Sequence, residues 1–206
     1  MNTHEGKGHG VGEDRSRTSA SSRRWLFLRR DPRFLDAIRR LYDPPNRLID
    51  PYVKHGQVAA DLGCGSGYVT FPLADLVGPE GKVYAVDLDA GCIRRVQEKA
   101  GRGGYRNIEA HASSATDLSF IADGSLDFVL ANGLLCSMAH DRPLAVKEIK
   151  RILKSNGQAF LSLGFPPPLG FVGEAEWTQT LEAFKVKDGG SFKQRWALVS
   201  LKEGTG

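Results

Sequence analysis

Cysteine is scarce and scattered. Cys64, Cys92 and Cys136 stand far apart, with no CxxC pair and no Cys/His cluster at metal-ligand spacing. Neither a metal site nor a disulfide framework is expected, and a reduced, cytoplasmic setting fits best. No stretch approaches the ~20 consecutive apolar residues that a bilayer crossing requires, so a transmembrane anchor is not expected. The first 24 residues are polar and lack the apolar core of a secretory signal. Glu5, Glu13 and Asp14 count against an organellar transit peptide, since such peptides avoid acids. Basic charge is missing from the body of the chain. Residues 1–40 carry ten Lys/Arg against five Asp/Glu, and the remainder carries 18 against 19. The net charge of +4 therefore sits in the N-terminal arm. A nucleic-acid footprint is a basic face on a domain, whereas an arm of this kind reads more plainly as a solvated tail. No internal repeat is present.

What is there suits one ordinary globular domain: 206 residues, 41% hydrophobic and 25% charged. Residues 1–22, rich in Gly, Ser and Arg, are expected to be a disordered basic arm. Trp25, Leu28, Phe34, Leu35, Ile38 and Leu41 recur at roughly helical spacing up to Pro44-Pro45, so 23–45 is expected as a helical lid, with 165–171 as a second lid. Arg23-Arg24 and Arg29-Arg30 flank the apolar start of that segment, which leaves membrane, RNA and self-packing readings open.

From Asn46 a short helix leads to Val53, and strands and helices then alternate. Strands are expected at Val58–Leu62, Lys82–Val86, Ile108–His111, Leu126–Ala131 and Gln158–Leu163, the last after an Asn156-Gly157 turn. Helices are expected at Tyr68–Val77, Ala90–Ala100 and Pro143–Leu153. After Pro166-Pro167-Pro168 come a helix over Glu174–Phe184 and a hairpin, Lys185–Lys187 and Phe192–Leu201 about an Asp188-Gly189-Gly190 turn. The pattern is α/β: a doubly wound, Rossmann-like, mainly parallel seven-stranded sheet with a C-terminal antiparallel hairpin.

The most informative segment is Asp61-Leu62-Gly63-Cys64-Gly65-Ser66-Gly67, between the first strand and first helix. Open parallel sheets bind ligands there, beyond the carboxyl ends of the strands. Dinucleotide enzymes use G-x-G-x-x-G; here the third glycine comes one residue early and Tyr68 fills the required position. An acid such as Asp61 beside the loop repels a pyrophosphate and suits a ligand bearing positive charge. The second strand ends at Asp87, 20 residues after Gly67, where an acid accepts hydrogen bonds from ribose hydroxyls. Asp89 is better placed to cap the following helix.

These segments resemble the class I S-adenosylmethionine-dependent methyltransferases, specifically the generic methyltransferase-domain subgroup. Asp61–Gly67 is similar to that family's first motif, Val83–Asp87 to its ribose-binding strand end, Asp123–Val129 to the approach to its fourth strand, and Ile149–Phe160 to its helix, turn and fifth strand. The resemblance covers roughly residues 46–202 and makes 46–206 the cofactor-binding domain. It implies S-adenosylmethionine as cofactor. The backbone around Gly63, Cys64, Gly65 and Gly67 would cradle its methionine part, with Asp61 facing the amino group, Asp87 on the ribose and Leu88 on the adenine. Asn132 would stand near the methyl group. Where the family commonly has Gly-Asp-Ala after the third strand, this chain has Ser113-Ser114-Ala115, so Ser114 and Ala115 inherit the adenine contacts. Tyr68 lines the cofactor pocket or merely begins the helix.

Methyl transfer from a sulfonium needs alignment and water exclusion more than dedicated catalytic groups. The Asn-Pro-Pro-aromatic tetrad of amino-group methylation is absent. His140 is a weak candidate base, with a surface role the plainer reading. His111 is weighed between adenine contact and a loop role, Cys136 between methyl relay and packing, and Cys64 is read as filler. Trp177, Phe192 and Trp196 are expected in the core. The leading reading is transfer to a small-molecule acceptor; nucleic acid or membrane contact through the basic arm is less favoured. The rivals are an RNA or protein methyltransferase, and a non-catalytic cofactor-binding partner subunit.

Overall fold

The computed structural model describes residues 49–138, 140–163, 173–191, 195–202 and 204. The basic arm, the 23–45 lid, the 165–171 lid and Phe192 lie outside the described residues. In chain order the elements are β1 (Val58–Leu62), α1 (Thr70–Val77), β2 (Lys82–Asp87), α2 (Ala90–Gly103), β3 (Ile108–Ala112), β4 (Leu126–Asn132), α3 (Arg142–Ile152), β5 (Leu153–Ser162), α4 (Glu174–Glu182), β6 (Lys185–Gly190) and β7 (Trp196–Ser200). They build one seven-stranded sheet in the order β3-β2-β1-β4-β5-β7-β6. β1 to β5 run parallel, and β7 lies antiparallel between β5 and β6.

Alternation along each strand divides the core in two, because successive side chains of a strand point to opposite faces. Ala60, Leu62, Val129, Ala131, Ala159 and Leu161 face one way and pack with Ile149 and Ile152 of α3 and Trp177 of α4. Ala59, Val83, Phe128, Leu130 and Phe160 face the other way, against Leu73, Ala74 and Val77 of α1. On that same face Ala85 meets Ile93 and Val96 of α2. Trp196 stacks on Phe160, centroids 5.4 Å apart, and Trp177 is buried, so both tryptophans belong to the packing as expected. Among the described residues no helix is long and apolar enough to cross a membrane.

Two expected turns turn out to be strand irregularities. β5 begins at Leu153, immediately after α3, rather than at Gln158. Leu126 pairs with Leu153 but Phe128 with Gln158, so residues 154–157, with their Asn-Gly pair, bulge opposite Asp127. Asp127 fills the bulge: its Oδ1 accepts from Lys154 Nζ at 2.8 Å and its Oδ2 from the Val58 N–H at 2.9 Å. Likewise Asp188-Gly189-Gly190 is paired with Leu198, Ala197 and Trp196, so the reversal lies beyond Gly190. A side chain at 190 would meet the Trp196 indole nitrogen at 2.9 Å, and its absence lets the indole lie across the strand.

Candidate functional site

Register places one row of residues across the carboxyl ends of the parallel strands. Asp87 pairs with Ala112, Leu62 with Val86 and Asn132 with Ser162, so Ala112, Asp87, Gly63, Asn132 and Ser162 stand level from β3 to β5. With strands about 4.8 Å apart, the span from Ala112 to Asn132 is roughly 14 Å.

The glycine loop leaves this row as a tight turn. Gly63 and Cys64 both donate their N–H to the Val86 carbonyl, at 2.8 and 3.0 Å, and Gly67 N–H donates to the Cys64 carbonyl at 3.0 Å. Gly63 has φ +75°, and a Cβ there would come within 3.1 Å of Leu134 Cδ1. The turn thus needs both the left-handed backbone and the missing side chain. Behind the loop Asp61, 3% exposed, accepts from Thr70 Oγ1 at 2.7 Å, tying the end of β1 to the start of α1. Lys99 of α2 donates to the Ser66 carbonyl at 3.2 Å and fixes the loop from its other side.

Asp87 uses both carboxylate oxygens. Oδ2 accepts from Gly65 N–H at 2.8 Å and Oδ1 from Asp89 N–H at 2.9 Å. Asp89 in turn caps α2, accepting from Gly91 and Cys92 N–H at 2.7 and 3.4 Å. Asp89 thus caps the helix as the sequence suggests, while Asp87 at the strand end holds the glycine loop.

Beyond the row opens a cavity of about 340 Å³, lined by Gly63, Val86, Asp87 and Leu88, by Ser113–Ala115, and by Asn132–Leu134, Ser137, Met138 and Asp141. That size falls at the lower end of about 300–1,000 Å³ for small-molecule sites. Among the described residues its wall holds two carboxylates and no Lys, Arg or His. Leu88 is 79% exposed, an apolar side chain left on the rim with room for a flat partner. A larger depression of about 850 Å³ opens at the opposite, amino ends of β2 and β3. Several of its polar groups serve the fold: Lys82 pairs with Glu109 at 2.5 Å, and Asn107 donates to the Ala74 and Gly78 carbonyls at 2.9 Å.

The structure brings Gly63, Asp87, Leu88, Ser114, Ala115 and Asn132 together in the cavity wall. Asp61, Cys64, Gly65, Gly67 and Tyr68 are outside that lining. Tyr68 is buried in the cluster that holds Leu73 and Phe128. Cys64 is packed against Ala85, Ile93 and Val96. Burial first, then the nearby Asp61 and Asp87 carboxylates, push its thiol well above the ordinary range, which keeps it protonated. Cys136 is buried and donates its thiol to the Gly133 carbonyl at 2.9 Å, a packing arrangement. His140 is exposed and outside the lining. His111 stacks on Phe120 at 3.9 Å and bonds Glu109 Oε1 at 2.6 Å, also outside it.

Sequence reasoning missed Gly133, Leu134, Ser137, Met138 and Asp141 as wall residues. It also missed Arg142, whose buried guanidinium donates from Nε to the Leu135 carbonyl at 2.9 Å and so fastens the segment after β4 to α3. The signal available was position alone, since this segment follows the strand that ends at Asn132. Among the described residues no group of three His, Cys, Asp or Glu could hold a metal ion.

Comparison with known proteins agrees with this geometry. Residues 59–157 match the family model described as a methyltransferase domain. The chain is similar to nocamycin O-methyltransferase of Saccharothrix syringae, 33% identical over 66% of this chain and 45% of the relative. It is also similar to demethylmenaquinone methyltransferase of Bacillus velezensis, 33% identical over 58% of this chain and 51% of the relative. The chain thus spans about half the length of the curated relatives it matches. Among solved structures it resembles a SAM-dependent methyltransferase from Aquifex aeolicus, with TM-score 0.68 and 23% identity over 84% of this chain and 99% of that one.

Proposed function

We propose that the chain is a class I S-adenosylmethionine-dependent methyltransferase and that it transfers a methyl group from S-adenosylmethionine to a small-molecule acceptor. The observation that carries this reading is the cavity wall at the carboxyl ends of β1, β2 and β4: two carboxylates and, among the described residues, no cationic side chain, with a glycine loop at its base. A pyrophosphate cofactor would be repelled there, while a ligand carrying sulfonium and ammonium charges is favoured.

Bound in this cavity, S-adenosylmethionine supplies an electrophilic methyl group that needs no further activation. The residues of the chain hold and align it. Each Asp87 oxygen, already accepting one backbone N–H, keeps acceptor capacity for a ribose hydroxyl. Leu88 covers one adenine face, and Ser114 and Ala115 border its edge. Gly63 allows close backbone approach, and Asp61 sets the loop from behind. Leu134 and Met138 exclude water from the side toward the acceptor. A base is required only for an acceptor that must lose a proton. Asp141 stands in the wall to take one, whereas His140 lies outside it. The names of the two curated relatives support a small-molecule acceptor, and three free, buried cysteines support a reduced, cytoplasmic setting.

Isothermal titration with S-adenosylhomocysteine, the product, tests the cofactor reading. Micromolar binding, with no binding of a nicotinamide dinucleotide, is the expected result; no binding by folded protein overturns it. Release of S-adenosylhomocysteine from pools of small acceptors then tests the acceptor class. Release only with RNA, falling steeply with salt, would move the reading to the macromolecular rival.

A further inference from the structure

The hydrogen bond between Ser162 and Asn132 crosses the row at the end of the site farthest from Leu88 and Ser114. Ser162, on β5, is 0% exposed, and its Oγ lies 2.5 Å from Asn132 Oδ1. The Ser162 hydroxyl donates and the Asn132 amide oxygen accepts. That leaves the NH2 group as the remaining polar end of Asn132, a residue of the cavity wall.

The other side-chain donors of the wall are spent. Ser137 Oγ donates to the Leu134 carbonyl at 2.7 Å and Ser113 Oγ to the Asp117 carbonyl at 2.8 Å. Ser114, at the β3 end, is bonded to Thr116 at 2.8 Å. A ligand laid along the row with its adenine at Leu88 and its ribose at Asp87 brings its amino-acid end to Gly63 and Asn132. That end carries a carboxylate, and among the described residues the wall offers it neutral donors rather than cations.

We infer that Ser162 is a positioning residue: by fixing the Asn132 amide oxygen it aims the Asn132 NH2 at the carboxylate of the ligand's methionine part. This rests on the cofactor reading above and adds the half of the ligand that Asn132 reads. Ser162 touches no ligand itself; it removes the rotamer choice that would otherwise present an oxygen to a carboxylate.

The test uses two ligands: S-adenosylhomocysteine, which carries the amino-acid end, and 5′-methylthioadenosine, which lacks it. Titrations compare the wild-type chain with Asn132→Asp, Ser162→Ala and Ser162→Thr. Asn132→Asp, which turns the donor into an acceptor of the same shape, is expected to weaken S-adenosylhomocysteine about tenfold or more. Ser162→Ala is expected to weaken it several-fold and Ser162→Thr to retain affinity, while 5′-methylthioadenosine stays within about twofold throughout. In ¹⁵N-labelled protein the Asn132 side-chain NH2 signals, assigned by their loss in Asn132→Asp, are expected to shift with S-adenosylhomocysteine only. Equal losses for both ligands, or no loss for either, overturn the inference while leaving the cofactor reading intact. Failure of the wild-type chain to bind either ligand would instead be failure of the cofactor reading.

Discussion

Asp87 Oδ2 accepts the Gly65 backbone N–H at 2.8 Å, so the carboxylate that ends β2 also holds the glycine loop that follows β1. The two motifs of the site, 22 residues apart in the chain, are one hydrogen-bonded unit. Asp87→Asn puts an NH2 group where one of two backbone donors, Gly65 or Asp89, needs an acceptor. The expected result is a loss of S-adenosylhomocysteine affinity of about tenfold or more, together with about 1–3 kcal/mol of stability for the orphaned N–H. Titration and urea unfolding measure the two effects, and unchanged affinity would remove Asp87 from the site.

Asp89→Ala separates the neighbouring acid from this role. Asp89 satisfies two N–H groups at the start of α2, so its loss lowers the unfolding midpoint. Affinity for S-adenosylhomocysteine is expected to stay within about twofold, since Asp89 is outside the cavity lining. An affinity loss matching that of Asp87→Asn would show that the two acids do not divide their roles.

Gly67 and Gly65 differ in what a side chain would meet. At Gly67, φ is +87° and an added Cβ lies 2.6 Å from Phe71 Cε2. The ring has little room to retreat, packed edge-on against Tyr105 with centroids 5.2 Å apart. At Gly65, φ is +54° and nothing lies within 4 Å. Gly65→Ala therefore carries only the left-handed backbone cost of about 1–2 kcal/mol, and Gly67→Ala adds a clash to it. Thermal unfolding should rank Gly67→Ala clearly below Gly65→Ala, and equal midpoints would sink the steric account.

The fold was legible because its signals are local. The unbroken apolar run at Phe128–Ala131 reports a strand buried on both faces, helical spacing at Val146, Ile149 and Ile152 reports one buried face, and the glycines at 63, 65 and 67 mark the loop. The Asn156-Gly157 and Asp188-Gly189-Gly190 turns misled, because glycine serves a bulge as readily as a reversal and only strand pairing distinguishes them. The site was half legible. Asp87 and Asp89 declare themselves by spacing from the loop. Ser162 does not: its value comes from register with Asn132, 30 residues away, and an ordinary serine in a strand carries no mark of that. Arg142 was hidden for the same reason, as its carbonyl partner on Leu135 has no sequence signature.

Thr70→Val tests the support behind the loop. The substitution keeps volume but removes the hydroxyl that Asp61 accepts at 2.7 Å. A buried carboxylate that loses a donor costs about 1–3 kcal/mol, and the end of β1 is released from α1. Urea unfolding should show that loss together with weaker S-adenosylhomocysteine binding. A variant as stable as the wild type would mean that Asp61 is held adequately without Thr70.

Glu148 should make the fold acid-sensitive. The Arg151 guanidinium, bonded to it at 2.8 Å, is the main reason its carboxyl lies below the ordinary 4.5; the Leu118 N–H at 2.9 Å adds to this, and burial opposes both. A carboxyl whose folded value is depressed contributes stability that is complete above its unfolded value and disappears as pH falls through the folded one. Glu148→Gln should therefore be less stable than the wild type at about pH 7, with the gap shrinking as pH falls below the ordinary carboxylate range and the wild type loses the ionised carboxylate. Arg151 keeps the Leu118 and Ile121 carbonyls and Asp123 in the variant, so residues 118–123 stay attached to α3 and the comparison reports the charge. Urea midpoints across that range decide it: a gap that does not change with pH would mean that Glu148 acts through packing or neutral hydrogen bonding rather than through its ionisation.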